Sequence, residues 1–499
     1  MDCPHASVGV YIPVVLSPDM PGPIEPPART LAADVRTGRR QSRELTEASL
    51  ERIEATDHLN AFINVLGGIA RDRAATIDRR VSDGEDPGPL AGVPVGIKDL
   101  RTRKAGVPNT LGVAALADNV AATDSIGVER LEAAGAVVVG TTSTPALAHT
   151  IKTENRLVGA TPTPFDETRS AGGSSGGSAA ALAAGSVRLA TGSDIGGSLR
   201  VPAACCNVVG LKPTLGVVPE LGTDGFSAGT PAFVGGPMAR TTAETALLLD
   251  VLSGFDPRDP LSVPLDVPDY VAATDRPAAE LSVAYSPNLD LQPVAPAVRE
   301  VVDEAVADLG SAGVAVDRVG VDLPSCEELS KGYVTQVGAF FGAFAAQVEA
   351  EHGIDFATTD VEETLRSTIS LADGVGTVEE RLRNVPRTAA YRAIEAALEG
   401  HDALVTPTLT VPPYDKHLSA GYPSEIDGES VLGVPTDAML TWVFNLTGHP
   451  AASVPAGFTD DGLPVGLQVV GRRHAESDVL AVAAALERAR PWTDAYPRL

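Results

Sequence analysis

Three residues of this chain have side chains and surroundings suited to acyl chemistry: Lys98 in "AGVPVGIKDL", Ser174 in "GGSSGG" and Ser198 in "SDIGGS". Two glycines precede Ser198, and glycine lets a backbone bend until successive N–H groups point into one hole. Such a nest holds a developing oxyanion, and a serine at its end is placed to attack a carbonyl. The serine still needs a base. Ser174 lies 24 residues upstream (198 − 174) and can relay a proton if the intervening segment folds back. Lys98 closes an apolar, β-branched run in a chain with few lysines; burial would lower its pKa, because desolvation disfavours the charged amine.

Other readings compete for the same Gly/Ser/Ala-rich stretch, Glu167 to Ala204. A flexible linker is one, but core-like elements flank the stretch closely on both sides. A phosphate loop needs a lysine, and none occurs between Lys152 and Lys212; G-x-G-x-x-G is absent too. Gly172 to Gly176 matches G-x-S-x-G, the nucleophile elbow of α/β-hydrolases, with Ser174 as nucleophile. That motif needs a strand just before it, and "PTPFDETRSA" does not read as one. It also needs a later histidine; none occurs between His149 and His352, so His401, His449 or His474 would have to serve. Taken singly, Ser174 reads as a turn residue, Ser198 as a helix N-cap and Lys98 as a surface lysine; their joint order and spacing favours catalysis. Asp99 reads as a structural acceptor, Lys212 in "GLKPT" as structural, and His449 as packed. Cys205 and Cys206 read as small core residues.

The elements that must position these groups alternate. "SRELTEASLERIEA", with Ser42 as its N-cap, predicts a helix within a helical stretch over about 29–80. "AGVPVGIKDL" predicts a buried strand, and "VERLEAAG" followed by "AVVVG" predicts helix, turn and strand. "SAAALAAG" predicts a small-residue helix between the two glycine-rich knots. A Pro/Asp-rich connection follows at 255–270, then a helical, acidic region to about 400. Strands return after 401, with "TDDG" (459–462) as a hairpin turn and a helix at "SDVLAVAAALERA". This alternation predicts an α/β fold with a mixed sheet.

The chain has 499 residues, 44% of them hydrophobic, which suffices for a large core. Its formal charge of −27 argues against a basic nucleic-acid-binding face. Many carboxylates, few lysines and 4% aromatics resemble the composition of proteins from salt-loving microbes, and a halophilic archaeon is the expected source. An acidic protein from a GC-rich genome is the plainer alternative. The cysteines, Cys3, Cys205, Cys206 and Cys326, lack metal-ligand spacing and read as reduced thiols in a cytoplasmic protein. No apolar run reaches the roughly 18 residues of a membrane helix. The Pro-rich residues 1–28 read as a disordered tail without a signal peptide, and Met20 is an alternative start, testable by N-terminal mass.

The segments "GIKDL", "GGSSGGSAAALAAG", "DIGGSLRVPAA", "VVGLKPT", "GPMART" and "FNLTGHPAASVPAGFTDDGLPVGLQVVG" occur in this order and together resemble the amidase signature family over roughly residues 30–490. The resemblance implies one domain over 29–499: N-terminal helices (29–90), a signature core (91–254), a variable substrate-side region with a helical insert (255–400) and a C-terminal part of the sheet (401–499). It implies a Ser–Ser–Lys triad with Ser198 as nucleophile, Ser174 as bridging serine after a cis Gly173–Ser174 peptide, and Lys98 as base. The amides of Ile195, Gly196, Gly197 and Ser198 match the oxyanion hole; Ser175, Asp194 and Arg200 match supporting positions. The implied reaction is hydrolysis of a small-molecule carboxamide, with no metal or organic cofactor, no membrane, no nucleic acid and a homodimer as one option.

The family also contains a component of a tRNA-dependent amidotransferase, its A subunit. The loop "LGVVPELGTDGFSAGTPAFVGG" lacks the Arg-Tyr-Gly and Ser-Leu-Asp-Gln runs of that component, and Ile195 stands where it usually has threonine. A stand-alone amidase is therefore favoured over the amidotransferase component, over an esterase using Ser174, and over a non-catalytic binding protein of the same fold. "STPALA" (143–148) and Val113 depart from the family pattern and bear on pocket shape. Substrate choice is expected from about 215–235 and 271–400.

Overall fold

The structure is a computed structural model that describes residues 22, 24–220, 229, 231–264, 266–418, 422–497 and 499. The expectations for Cys3, Met20 and most of the N-terminal tail lie outside the described residues, as does part of the loop at 215–235.

Runs of Val, Ile, Leu and Ala bounded by glycine make strands that can be buried on both faces, and here the described residues form one large mixed sheet. Its eleven strands run in the order Phe62–Val65, Val137–Thr142, Pro94–Lys98, Leu189–Asp194, Val234–Ala239, Val209–Lys212, Ala451–Phe458, Pro464–Val470, Ala403–Pro407, Ser282–Tyr285 and Ala315–Arg318. Pro94–Lys98 lies parallel to both of its neighbours, Val137–Thr142 and Leu189–Asp194. Ser282–Tyr285 is parallel to both of its neighbours as well. The other pairings in this sheet are antiparallel. Every residue of Pro94–Lys98 and Leu189–Asp194 is buried, so the two strands that carry Lys98 and Asp194 run through the core.

Helices cover the sheet. Gly176–Ala183 is a helix of glycine, serine, alanine and leucine with every residue buried. Small side chains let it lie close against the strands. Pro296–Ser311 and Glu476–Ala489 turn their apolar stripes onto the C-terminal half of the sheet. The longest helix among the described residues, Cys326–His352, starts with a capping box between Ser325 and Glu328 and ends at Gly353 in the left-handed region. Residues 459–462 close the hairpin between Ala451–Phe458 and Pro464–Val470.

Five local expectations differ from the structure. Ser42 is the first helical residue rather than the cap: it is fully buried beneath Gly92, and Asp78 of the next helix accepts from the amides of Ser42 (2.6 Å) and Arg43 (3.3 Å). Phe62–Val65 interrupts the helical stretch as an edge strand, and Ser282–Tyr285 and Ala315–Arg318 add two strands to a region read as helical. Four-residue strands carry too little pattern to stand out among helices. Asp166–Ser170 is a strand, paired in a hairpin with Pro162–Thr163, although its polar sequence hides it. The packed body also reaches back past residue 29: Ile24 is buried and the Ala28 amide donates to Glu244 Oε1 at 2.8 Å. Among the described residues, no helix is long and apolar enough to cross a membrane.

Candidate active site

Lys98 is the last residue of its strand and is 1% exposed. Its side chain ends among three serine hydroxyls: Nζ lies 2.8 Å from Ser174 Oγ, 3.0 Å from Ser175 Oγ and 2.9 Å from Ser193 Oγ. Burial pushes the amine down to about 7, against the pull of the Asp194 and Glu220 carboxylates. Near neutral pH a large share of Lys98 is therefore the free amine, with two protons to donate and one lone pair to accept.

The hydroxyls sort themselves by what else they bond. Ser175 Oγ donates to the Ser193 carbonyl (3.3 Å) and accepts from the Ser193 amide (3.2 Å), so toward Lys98 it accepts. Ser174 Oγ and Ser193 Oγ have no partner but Lys98 among the described residues, so either O–H is free to point at the lone pair; of the two, Ser174 lies in the glycine-rich knot that meets Ser198. That is the arrangement in which a lysine takes a proton from Ser174. The Gly173–Ser174 peptide is cis. Neighbouring backbone locks the knot in place: the Ser175 amide donates to the Ser198 carbonyl at 3.2 Å, so the two glycine-rich knots meet directly.

Ser198 is 6% exposed, and its hydroxyl makes no hydrogen bond with the described residues. The turn from Asp194 to Arg200 is held from inside by one carboxylate. Asp194 accepts from the amides of Gly197 (2.8 Å) and Leu199 (3.1 Å), from Arg200 Nε (3.0 Å) and Nη2 (2.9 Å), and from Asn445 Nδ2 (2.8 Å). Burial works to raise this carboxyl, but the Arg200 guanidinium beside it more than offsets that and holds it below the usual range. Arg200 is fully buried and spends its remaining N–H groups on the Thr441 carbonyl (2.8 Å), Gln468 Oε1 (2.7 Å) and Asn445 Oδ1 (2.7 Å).

This arrangement revises the expected oxyanion hole. The Gly197 amide is committed to Asp194 and is not available to a substrate. The amides of Ile195, Gly196 and Ser198 make no hydrogen bond with the described residues, so three of the four expected donors stay free. Gly197 has φ +136, and a Cβ there would lie 2.2 Å from Thr441 Oγ1. Only glycine turns the chain at that point.

Asn445, Thr441 and Gln468 were not foreseen. Each is an uncharged polar residue in an apolar C-terminal run, "MLTWVFNLTG" or "PVGLQVVG", and that isolation is the signal they left in the sequence. Ser193 was missed because it precedes Asp194 on a strand rather than standing in a glycine knot. Among the described residues no histidine is hydrogen-bonded to Ser174, as the nucleophile-elbow reading would need: His149 bonds to the Ala146 carbonyl and Thr364, and His449 to Thr447 and Glu395. His401 bonds to Asp317 and His417 to Glu154. Asp99 accepts from Asn109 Nδ2 (3.0 Å) and the Thr110 amide (3.0 Å) and shapes the bend after Lys98. Cys205 and Cys206 are buried thiols, and burial pushes Cys206 up to about 12. Among the described residues, no group of three or more His, Cys, Asp or Glu side chains is arranged to hold a metal ion.

Comparison with known proteins agrees on the family. The amidase family model matches residues 44–480. An acylamidase of Rhodococcus erythropolis is 36% identical over 476 residues, covering 94% of this chain and 96% of its own length. The A subunit of the glutamyl-tRNA(Gln) amidotransferase of Synechococcus sp. (strain RCC307) is also 36% identical, covering 91% of this chain and 95% of its own length. The solved structure of a bacterial aryl acylamidase of the amidase signature family superimposes with a TM-score of 0.89 at 32% identity, over 94% of this chain and 97% of that one. A 6-aminohexanoate cyclic dimer hydrolase superimposes with a TM-score of 0.83 at 31% identity, over 95% and 98%. With its mixed sheet, its glycine-rich serine knots and matches over nearly its whole length, the chain belongs to the amidase signature family of hydrolases acting on carbon–nitrogen bonds.

Proposed function

We propose that this protein is a stand-alone amidase that cleaves a small carboxamide through an acyl-enzyme on Ser198. The free amine of Lys98 takes the Ser174 proton while Ser174 takes the Ser198 proton. The Ser198 oxygen attacks the amide carbon, and the amides of Ile195, Gly196 and Ser198 receive the oxyanion. The carbon–nitrogen bond then breaks, and the amine or ammonia leaves with the proton returned along the relay. Water, deprotonated by the same route, releases the carboxylic acid and restores Ser198.

The observation that carries this reading is the buried Lys98 amine, pushed down to about 7 and 2.8 Å from a serine with no other partner among the described residues. The Ser198–Ser174 contact is the one link of the relay not already formed, and catalytic hydrogen bonds commonly tighten only when substrate is bound. The acylamidase relative, and the missing Arg-Tyr-Gly and Ser-Leu-Asp-Gln runs, favour a stand-alone enzyme over a component of an amidotransferase.

A fluorophosphonate probe followed by peptide mass spectrometry tests the assignment. The expected adduct sits on Ser198 and is lost in Lys98→Ala. An adduct on Ser174 that ignores Lys98 would sink the relay. Turnover of glutamine only in the presence of added partner proteins would transfer the protein to the amidotransferase class.

A further inference from the structure

The loss of the Gly197 amide leaves the oxyanion hole one donor short of the expected set, and a side chain from the substrate-side region stands beside the gap. Tyr333 lies in the first third of the helix Cys326–His352. A Cβ built on Gly196 would lie 1.8 Å from Tyr333 Oη, so the phenol hydroxyl rests directly against the Gly196 Cα. Cβ and N of one residue are about 2.5 Å apart, which puts Oη within about 4.3 Å of the free Gly196 amide nitrogen. The Gly196 carbonyl accepts from Thr441 Oγ1 at 2.6 Å, which anchors this part of the turn.

The hydroxyl itself makes no hydrogen bond with the described residues, although Tyr333 is only 6% exposed. The Oη atom is not among the fully buried, unpartnered atoms, so it reaches open space beside the turn, and a phenol without a protein partner there is placed to bond a substrate. The ring is positioned by packing rather than by that hydroxyl. It packs tilted against Trp442, the residue next to Thr441, with ring centroids 5.3 Å apart. The helix is pinned behind it, where Gly332 meets the Arg383 carbonyl and Arg383 Nη1 donates to Thr335 Oγ1 at 2.8 Å.

We propose that the Tyr333 hydroxyl donates a hydrogen bond to the oxyanion of the tetrahedral intermediate, beside the free amides of the Asp194–Arg200 turn. This inference rests on the amidase reading above. Burial holds the phenol well above its ordinary pKa, so it keeps its proton throughout the working range and stays able to donate.

Tyr333→Phe removes one oxygen and keeps the ring on Trp442. With an acyl p-nitroanilide and the matching p-nitrophenyl ester, kcat is expected to fall about a hundredfold on both, the effect of losing one oxyanion donor, with KM within about threefold. Incorporating 2,3-difluorotyrosine at Tyr333 preserves the packing and lowers the phenol pKa, so kcat should fall at a lower alkaline pH than in the native enzyme. Unchanged kcat in Tyr333→Phe, or a change confined to KM or to one acyl group, would overturn the oxyanion role while leaving the amidase reading intact. A native enzyme that turns over neither substrate and takes no phosphonate on Ser198 would overturn both.

Discussion

Lys98 and Lys212 are both shut away from water, and burial pushes both to about 7, yet their surroundings differ. Lys98 ends among three serine hydroxyls, two of them, Ser174 and Ser193, with no other partner among the described residues. Lys212 donates to the Pro213 carbonyl at 3.1 Å and otherwise feels only charges: Arg200 and Arg473 push its amine down, Asp194 and Glu476 pull it up. A depressed lysine pKa marks burial. A hydroxyl that can give that lysine a proton marks chemistry.

The comparison breaks first at Lys98→Ala. Amide turnover is expected to fall about a thousandfold to ten-thousandfold, the range for losing a general base, while Lys212→Met keeps kcat within about threefold. Equal losses in the two variants would erase the distinction. The pH profile tests the same point without mutation. Only the free amine accepts a proton, so kcat/KM should rise with pH through about 7 and then level off. At pH 5 it should stand about a hundredfold below the plateau; a flat profile would remove Lys98 from the proton path.

Smaller effects sharpen the contrast. Ser175→Ala takes away one of the hydroxyls that accepts from Lys98, and kcat is expected to drop about tenfold, in line with one hydrogen bond to an ionisable group. The last test belongs to Lys212 and is read in stability rather than in rate. Its folded pKa lies below its ordinary 10.5, so between about 7 and 10.5 the unfolded chain holds one more proton than the folded one. Stability from this residue therefore rises with pH across that window, by about 1.4 kcal/mol per pH unit, and below it the full cost of a buried charge remains. Lys212→Met should be more stable than the native protein at pH 6, with the advantage shrinking toward pH 10. Urea unfolding at several pH values measures it, and a constant difference would show that Lys212 is charged in the fold throughout.

The candidate site residues were visible in the sequence because their signal is local. Lys98 closes an apolar run, and Ser174 and Ser198 follow glycine pairs, so each stood out within ten residues of sequence. What stayed hidden depends on distant partners. Nothing near Asp194 announces that its carboxylate turns inward to the Gly197 amide, because Asn445, which helps Arg200 hold it there, completes the geometry from another part of the chain. Ser42 misled for a related reason: its sequence is that of a cap, but Asp78 from the following helix takes that task. The strands Ser282–Tyr285 and Ala315–Arg318 owe their state to the sheet edge they join rather than to any pattern of their own.

The bond from Arg200 to Gln468 spans 268 residues. A ribosome adding about 5–20 residues per second needs roughly 13–54 s to pass from one to the other. Throughout that interval the nascent turn has its serine but lacks the C-terminal groups that secure Arg200. The candidate site therefore matures late in synthesis, and a chain released early carries the glycine knots without the C-terminal groups that hold the Ser198 turn.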